Sequence, residues 1–197
     1  MVPRLDYLRV SFSCFHLLLA GYILIPLLTA PAVPAPPGML YPFIAVGGIP
    51  VLFDLRKDPR RANRHEFERH DRYSLFSQPV KNVRLVCKDF PWPIEIKDEW
   101  VVCGTIWEKV YNELQVYITE SEWALASEEV RRRIDRAVRF REAETGNREL
   151  RPRRIDWLGE KTLFAGLERD NAYVQSAALP GKREMVDTWV IRLDKPR

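Results

Sequence analysis

The sequence predicts an α+β domain, in which a small, mostly antiparallel sheet is packed by two to three helices. Three observations favour this class. Short apolar segments with alternating patterns occur before and after the middle of the chain, segments with helical periodicity occupy the middle, and turn residues separate them. An apolar N-terminal segment is expected to lie outside this domain.

The composition is that of an ordinary globular chain. Of the 197 residues, 31 are Lys or Arg and 27 are Asp or Glu, which gives a net charge of +4, and 46% are hydrophobic. These values exclude a wholly disordered protein. Three cysteines exclude a disulfide-rich scaffold, and a mean hydropathy of −0.28 excludes a multi-span membrane protein.

The first 38 residues differ from the rest of the chain. The run from Val10 to Leu28 carries no formal charge and is close to the roughly 20 residues that a spanning helix needs. Four prolines between Ala30 and Gly38 indicate an extended linker. We therefore predict a leader and linker over residues 1–38 and one domain over residues 39–197.

Several interpretations of the leader stay open. Residues 10–28 can form an uncleaved membrane anchor or a cleaved signal peptide. They can also be an apolar extension packed on the domain or an artefact of the gene model. No asparagine starts an N-glycosylation motif, so we favour an intracellular domain, with membrane anchoring through residues 10–28 as the alternative.

In the first part of the domain the sequence predicts strands. Ile49–Leu55 is expected to form a strand, whereas the charge-dense segment 57–72 is expected to be a solvated loop with at most a helical turn. Val83–Cys87 and Ile94–Ile96 alternate in polarity and are expected to form two strands on either side of a turn bracketed by prolines.

Helices are predicted in the middle of the chain. After Cys103, apolar residues recur every four positions, at Ile106, Val110 and Leu114. A capping box of Thr119 and Glu122 starts a second helix. Ser127 caps a third helix, which Gly146-Asn147 ends, and whose buried stripe is predicted to contain Val130, Ile134, Ala137 and Val138.

The last part of the domain again has strand-like patterns. These are R-R-I-D-W-L-G over residues 153–159, T-L-F-A-G-L over residues 162–167 and T-W-V-I-R-L over residues 188–193.

Several of these runs carry a family resemblance. L-V-C-K-D-F-P-W-P-I-E-I, V-V-C-G-T-I-W-E-K-V-Y, T-E-S-E-W, R-R-I-D-W-L-G-E-K-T-L-F-A-G-L and T-W-V-I-R-L occur in this order. Together they resemble a fungal, mainly basidiomycete, domain family of unknown function, with P-W-x-I, D-W-L-G and F-x-G-L as its motifs. The resemblance implies one α+β domain over roughly residues 39–194, and it implies no activity, ligand or catalytic residue.

The residues offer no support for catalysis. The histidines of H-E-F-E-R-H, His65 and His70, are five positions apart, which places them on different sides of a helix and excludes joint zinc binding. Cys87 and Cys103 stand in apolar context and are interpreted as buried thiols. Asp54 and Asp156 are interpreted as acceptors for backbone amides. We predict no catalytic residue, no metal site and no cofactor.

Charge and aromatic residues are the remaining candidates for function. Ten arginines and six acids lie between Glu128 and Arg154, and most of this pattern is typical of a solvated helix face with ion pairs such as Glu128–Arg132 and Asp135–Arg139. Trp92 stands between two prolines, where a place in the core is favoured over a role as an anchor for a partner. Partly by elimination, we predict a non-catalytic binding or protein-interaction module with a protein partner. The alternatives are an enzyme of unknown reaction class and a nucleic-acid-associated protein that uses the basic face Arg131–Arg154. The candidate binding residues are Trp92, Arg131, Arg132, Arg136, Arg139, Arg153 and Arg154.

Overall fold

The computed structural model describes residues 39–48, 50–148, 151–177 and 187–196. Its helices are α1 (Pro59–Ala62), α2 (Arg64–His70), α3 (Cys103–Gln115), α4 (Glu120–Leu125), α5 (Glu128–Thr145), α6 (Arg154–Trp157) and α7 (Asn171–Ala177). Its strands are β1 (Phe53–Asp54), β2 (Asn82–Cys87), β3 (Ile94–Lys97), β4 (Leu163–Glu168) and β5 (Asp187–Asp194). The predicted α+β class is confirmed.

The five strands form one mixed sheet in the order β1-β4-β5-β2-β3. Strand β5 lies in the middle, antiparallel to β4 and parallel to β2, while β1 with β4 and β2 with β3 form antiparallel pairs. Three consecutive residues of β5, Trp189, Val190 and Ile191, are buried. Because successive side chains of a strand point to opposite faces, both faces of the sheet are covered at its centre.

A glycine shapes the junction between β4 and the segment that precedes β1. The pairing of β4 with β5 shifts register between Phe164 and Gly166, and Gly166 has a φ of +115°. A Cβ atom there would lie 2.9 Å from the carbonyl oxygen of Ile44. That close approach lets the Leu167 N–H donate to Ile44 O and lets the Val46 N–H donate to Leu167 O. The segment 44–46 therefore pairs with β4 along the same edge as β1 does.

Helix α3 is the central helix of the core. The predicted apolar face is confirmed, because Ile106, Trp107, Val110 and Leu114 are all fully buried. Val102 stands at its N-cap and offers no side-chain hydrogen bond. The loop after α2 replaces this cap with backbone carbonyls, which accept hydrogen bonds from the first amides of the helix.

The predicted ends of α4 and α5 are confirmed. Thr119 and Glu122 form the capping box, with the Thr119 hydroxyl accepting from the Glu122 N–H and the Glu122 carboxylate accepting from the Thr119 N–H. Ser127 accepts from the Val130 N–H at 3.3 Å. Gly146 ends α5 in the left-handed conformation, at a φ of +66°. Of the predicted stripe, Ile134 and Val138 are buried, and Val130 and Ala137 are half-buried.

Three predictions of local structure are corrected. Residues 57–72 form the helices α1 and α2 in place of a loop, since Asp58 caps α1 by accepting from the Arg60 N–H, and Phe67 anchors α2 in the core. Residues 154–157 form a helix in place of a strand. The strand predicted over residues 49–55 pairs only at Phe53–Asp54 in the described residues.

The leader, residues 1–38, lies outside the described residues, and the domain boundary predicted at Met39 stays a prediction. Among the residues that the structure describes, no helix is long and apolar enough to cross a bilayer.

Candidate functional site

Trp92, singled out at its proline-bracketed turn, lies in the core. Its side chain is 8% exposed, it stacks on Phe90 with ring centroids 5.0 Å apart, and its edge meets Trp157 at 5.4 Å. The indole therefore joins the β2–β3 turn to α6. An anchoring role for a partner stays a prediction.

Arg154 connects three helices below that indole. Its guanidinium lies 4.8 Å from the Trp92 ring centroid and donates to Glu113 of α3 at 2.9 Å and to Glu122 of α4 at 2.5 Å. Burial alone would raise the pKa of Glu122, but the hydrogen bonds from Arg154 and from the Thr119 N–H lower it below its usual value. Arg154 is 16% exposed, and these contacts give it a structural role.

Arg131 and Arg153 also make local contacts. The Arg131 guanidinium donates to the carbonyl of Trp123 at 3.0 Å and lies 5.5 Å from the Trp123 ring centroid. It thus caps the C-terminal end of α4. The backbone N–H of Arg153 donates to Asp156 at 2.8 Å, and its guanidinium lies 5.7 Å from the Tyr117 ring centroid.

The three remaining candidates share one exposed surface. Arg132, Arg136 and Arg139, which we call the arginine face, recur on α5 with helical spacing and are exposed. Arg132 forms the predicted pair with Glu128, at 3.4 Å, and both side chains are largely exposed. In the described residues, Arg139 does not form the pair predicted with Asp135. The structure therefore separates the candidates into the arginine face and residues used for internal contacts.

The cysteines and the two aspartates have structural positions. Cys87 and Cys103 are buried free thiols, as predicted, and burial raises the pKa of each thiol to about 12. Asp54 accepts from the Arg56 N–H at 3.0 Å. Asp156 accepts from the Arg153 N–H and from the Arg141 guanidinium, each at 2.8 Å. The prediction that both aspartates bind backbone amides is confirmed.

A groove next to α4 was not singled out from the sequence. It has a volume of about 220 Å³ and is lined by Ile118, Thr119, Glu120, Trp123 and Pro152. The sequence around Trp123 has the pattern of an ordinary amphipathic helix. Pro152 lies 29 positions later in the chain, so no local sequence pattern indicates that these two residues line the same groove.

One comparison decides the family. A family model described as "Family of unknown function (DUF6699)" matches residues 51–176, which is more than half of the chain.

The chain belongs to the DUF6699 family.

No curated protein and no solved structure matches it. The DUF6699 match contains the arginine face, Trp92 and the groove, but it ends before β5. Because β5 lies between β4 and β2, this DUF6699 domain needs residues beyond the match to complete its sheet.

The two histidines of the DUF6699 region differ in environment. His65 is exposed, whereas His70 is buried and stacks on Phe43 with ring centroids 3.7 Å apart. Each lies within 3.4 Å of the carboxylate of Glu66. The described residues contain no group of three or more His, Cys, Asp or Glu side chains that could hold a metal ion.

The burial of His70 predicts a pH dependence of stability. Burial lowers the pKa of His70 below its ordinary value of 6.5, against the opposing charge of Glu66. As the pH falls through 6.5, the unfolded chain binds a proton that the folded protein does not yet bind. Stability is therefore expected to decrease below this pH, by at most about 1.4 kcal/mol per pH unit for this group.

Urea unfolding at several pH values checks this expectation. In His70→Gln the slope of stability against pH between about 5 and 7 should become smaller, whereas His65→Gln, at an exposed position, should keep it. An unchanged slope in His70→Gln would contradict the assignment.

Proposed function

We propose that this DUF6699 chain is a non-catalytic protein-interaction module, and that its arginine face binds an acidic segment of a partner protein. The observation that carries the proposal is the exposure of three guanidinium groups on one helix face, of which only Arg132 has an ion pair within the described residues. Guanidinium groups bind carboxylates with two parallel hydrogen bonds.

The neighbouring acids favour a protein over a nucleic acid. Glu129 and Asp135 lie among the three arginines on the same helix. A continuous phosphate backbone would meet these carboxylates as well as the arginines. A peptide can place its carboxylates opposite the arginines and its amides or cations opposite the acids.

Fluorescence anisotropy with a labelled oligoglutamate peptide tests this proposal. Changing Arg132, Arg136 and Arg139 to Gln together is expected to weaken binding about tenfold, because each exposed ion pair contributes roughly 0.2–1 kcal/mol. The matched control changes Arg60, Arg61 and Arg64, three exposed arginines of α1 and α2, and is expected to bind almost as tightly as the parent.

Two outcomes would contradict the proposal. Equal weakening in the two triple variants would mean that the probe responds only to net charge. Tighter binding of a single-stranded oligonucleotide than of the peptide, with a steep dependence on salt, would favour the nucleic-acid alternative.

The remaining sequence predictions extend this proposal. The P-W-x-I, D-W-L-G and F-x-G-L motifs support a fungal, mainly basidiomycete, origin. The absence of N-glycosylation motifs supports an intracellular domain. Anchoring through residues 10–28 is the alternative by which the same domain would work at a membrane surface.

A further inference from the structure

The groove next to α4 combines apolar walls with an accessible polar group. Helix α4 has no fully buried residue, so the half-buried Trp123 presents part of its ring to the groove. Ile118 and Pro152 supply the apolar walls, and Thr119 and Glu120 supply the polar rim. Small pockets of this composition bind apolar groups and orient them with a few hydrogen bonds.

Hydrogen bonds hold the walls of the groove together. The N–H of Ile118 donates to the carbonyl of Pro152 at 3.1 Å. Next to this bond Tyr117 forms a bridge with Arg153, and beyond the bridge the Arg154 N–H donates to Val116 O at 2.8 Å. The segment before α4 and the segment before α6 are thus connected by backbone. A groove that is formed before binding loses little entropy when a ligand enters.

The Trp123 ring is also fixed in place. Arg131 covers it from one side at 5.5 Å and binds the carbonyl of the same residue. The capping box of Thr119 and Glu122 fixes the start of α4. The indole N–H of Trp123 has no hydrogen-bond partner among the described residues, and it is not one of the buried unpaired groups. It is therefore an accessible donor beside an apolar surface.

These features fit an extended proline-rich peptide. A polyproline II helix has no internal hydrogen bonds, so its backbone carbonyls are open to a donor such as an indole N–H. Its proline rings pack against aromatic residues and other prolines, and its stiffness limits the entropy lost on binding. A regular helix or a paired strand would offer the same indole no free carbonyl in its interior.

The charges near the groove set a preference for the flanks of the peptide. Arg131 lies over Trp123, and the exposed Arg151 lies 4.3 Å from the ring centroid of Tyr117, next to Ile118. Both arginines lie outside the lining of the groove, and the one charged residue among the lining residues is the acid Glu120. Charge complementarity therefore favours a peptide whose acidic residue lies outside the groove, beside the prolines that enter it.

We propose that the groove between α4 and Pro152 is a binding site for a proline-rich, acidic-flanked peptide of a partner protein, with Trp123 as its aromatic platform and hydrogen-bond donor. This site shares no residue with the arginine face, so it goes beyond the function proposed above. It can be present whether or not the arginine face binds an acidic segment.

The test follows the indole N–H signals of the full chain by two-dimensional NMR during titration with synthetic peptides. The first peptide contains a proline run flanked by glutamate, the second has alanine in place of proline, and the third has lysine in place of glutamate. We expect the Trp123 signal to shift with the first peptide. We expect at least about tenfold weaker binding of the second and a few-fold weaker binding of the third.

Two variants and one control separate recognition from folding. Trp123→Ala is expected to weaken binding at least about tenfold, and Trp123→Phe, which keeps an apolar ring but removes the N–H, is expected to weaken it by less. Trp100→Ala removes a more exposed indole, which donates to Ser74, and should leave binding unchanged. Thermal unfolding of each variant shows whether it is folded, and Trp123→Phe remains informative if Trp123→Ala is not.

Three results would overturn the proposal. The first is an unshifted Trp123 signal at millimolar concentrations of the first peptide, and the second is equal binding of the proline and alanine peptides. The third is binding that begins only after the prolines of residues 31–37 are changed to alanine, which would assign the groove to this chain's own proline-rich segment.

Discussion

A chain that ends after residue 176 is expected to lose cooperative unfolding, although it contains the whole family match. The truncation removes β5, the central strand, and leaves β4 and β2 without a partner between them. It also removes the buried side chains of Trp189, Val190, Ile191 and Leu193. Each is worth roughly 1.5–3 kcal/mol, and their sum is comparable to the whole stability of a typical domain, about 5–15 kcal/mol.

Circular dichroism and thermal unfolding of the truncated and full chains measure this loss. A matched pair of point variants keeps the experiment informative if the truncated chain aggregates. Ile191→Ser, at a buried position, should lower stability by about 3–5 kcal/mol, and Arg192→Ser, at the exposed neighbouring position, by less than about 1 kcal/mol. If the truncated chain unfolded at the same midpoint temperature as the full chain, the conclusion that β5 is needed for stability would be contradicted.

The second large effect is expected for Gly166→Ala. A φ of +115° is strained for any residue with a side chain, and the new Cβ would meet backbone atoms of Ile44, Val46 and Ala45 at 2.9–3.2 Å. Backbone atoms held by hydrogen bonds on both sides of Leu167 cannot move away easily. We expect a loss of about 2–4 kcal/mol, or a decrease in melting temperature of about 5–15 °C.

Gly146→Ala provides the control for this variant. Gly146 also has a positive φ, +66°, but no described atom lies within 4 Å of a Cβ placed there. Gly146→Ala should therefore lower the free energy of unfolding only by the strain of alanine in the left-handed conformation, about 1 kcal/mol. If the two variants lost the same stability, the close approach of the segment 44–46 to β4 would not contribute.

The sequence predicted the elements whose signals are local. The four-residue spacing of Ile106, Val110 and Leu114 identifies α3, because a helix places these positions on one face. The caps at Thr119 and Ser127 identify the starts of α4 and α5, because the hydrogen bonds involved span three residues. Strands β2 and β3 alternate in polarity on either side of a short turn, which identifies both strands, and the structure pairs them antiparallel.

Other elements carry no local signal. In residues 57–72, most side chains are charged, so the sequence shows no apolar helical period. Phe67 and His70 are the buried residues of α2. In α6, Ile155, Asp156 and Trp157 are buried in succession, so no helical period remains. The parallel pairing of β2 with β5 joins distant segments, and nothing in either segment specifies the other.

The candidate binding residues show the same limit. Charge density correctly identified an exposed basic face on α5, but it could not distinguish Arg139, which is exposed, from Arg154, which is enclosed by two glutamates and an indole. Glu113, Glu122 and Trp92 lie on three other elements. Only the tertiary structure brings them to one guanidinium group.

The position of β5 also has a consequence for the folding rate. The β2–β3 hairpin closes a short loop and can form within microseconds, whereas β2 and β5 join residues about a hundred positions apart. Until that pairing forms, the sheet consists of separate parts with open edges, which are prone to associate with other chains. We therefore expect the capture of β5 to be the slow step of folding and the period of greatest risk of aggregation.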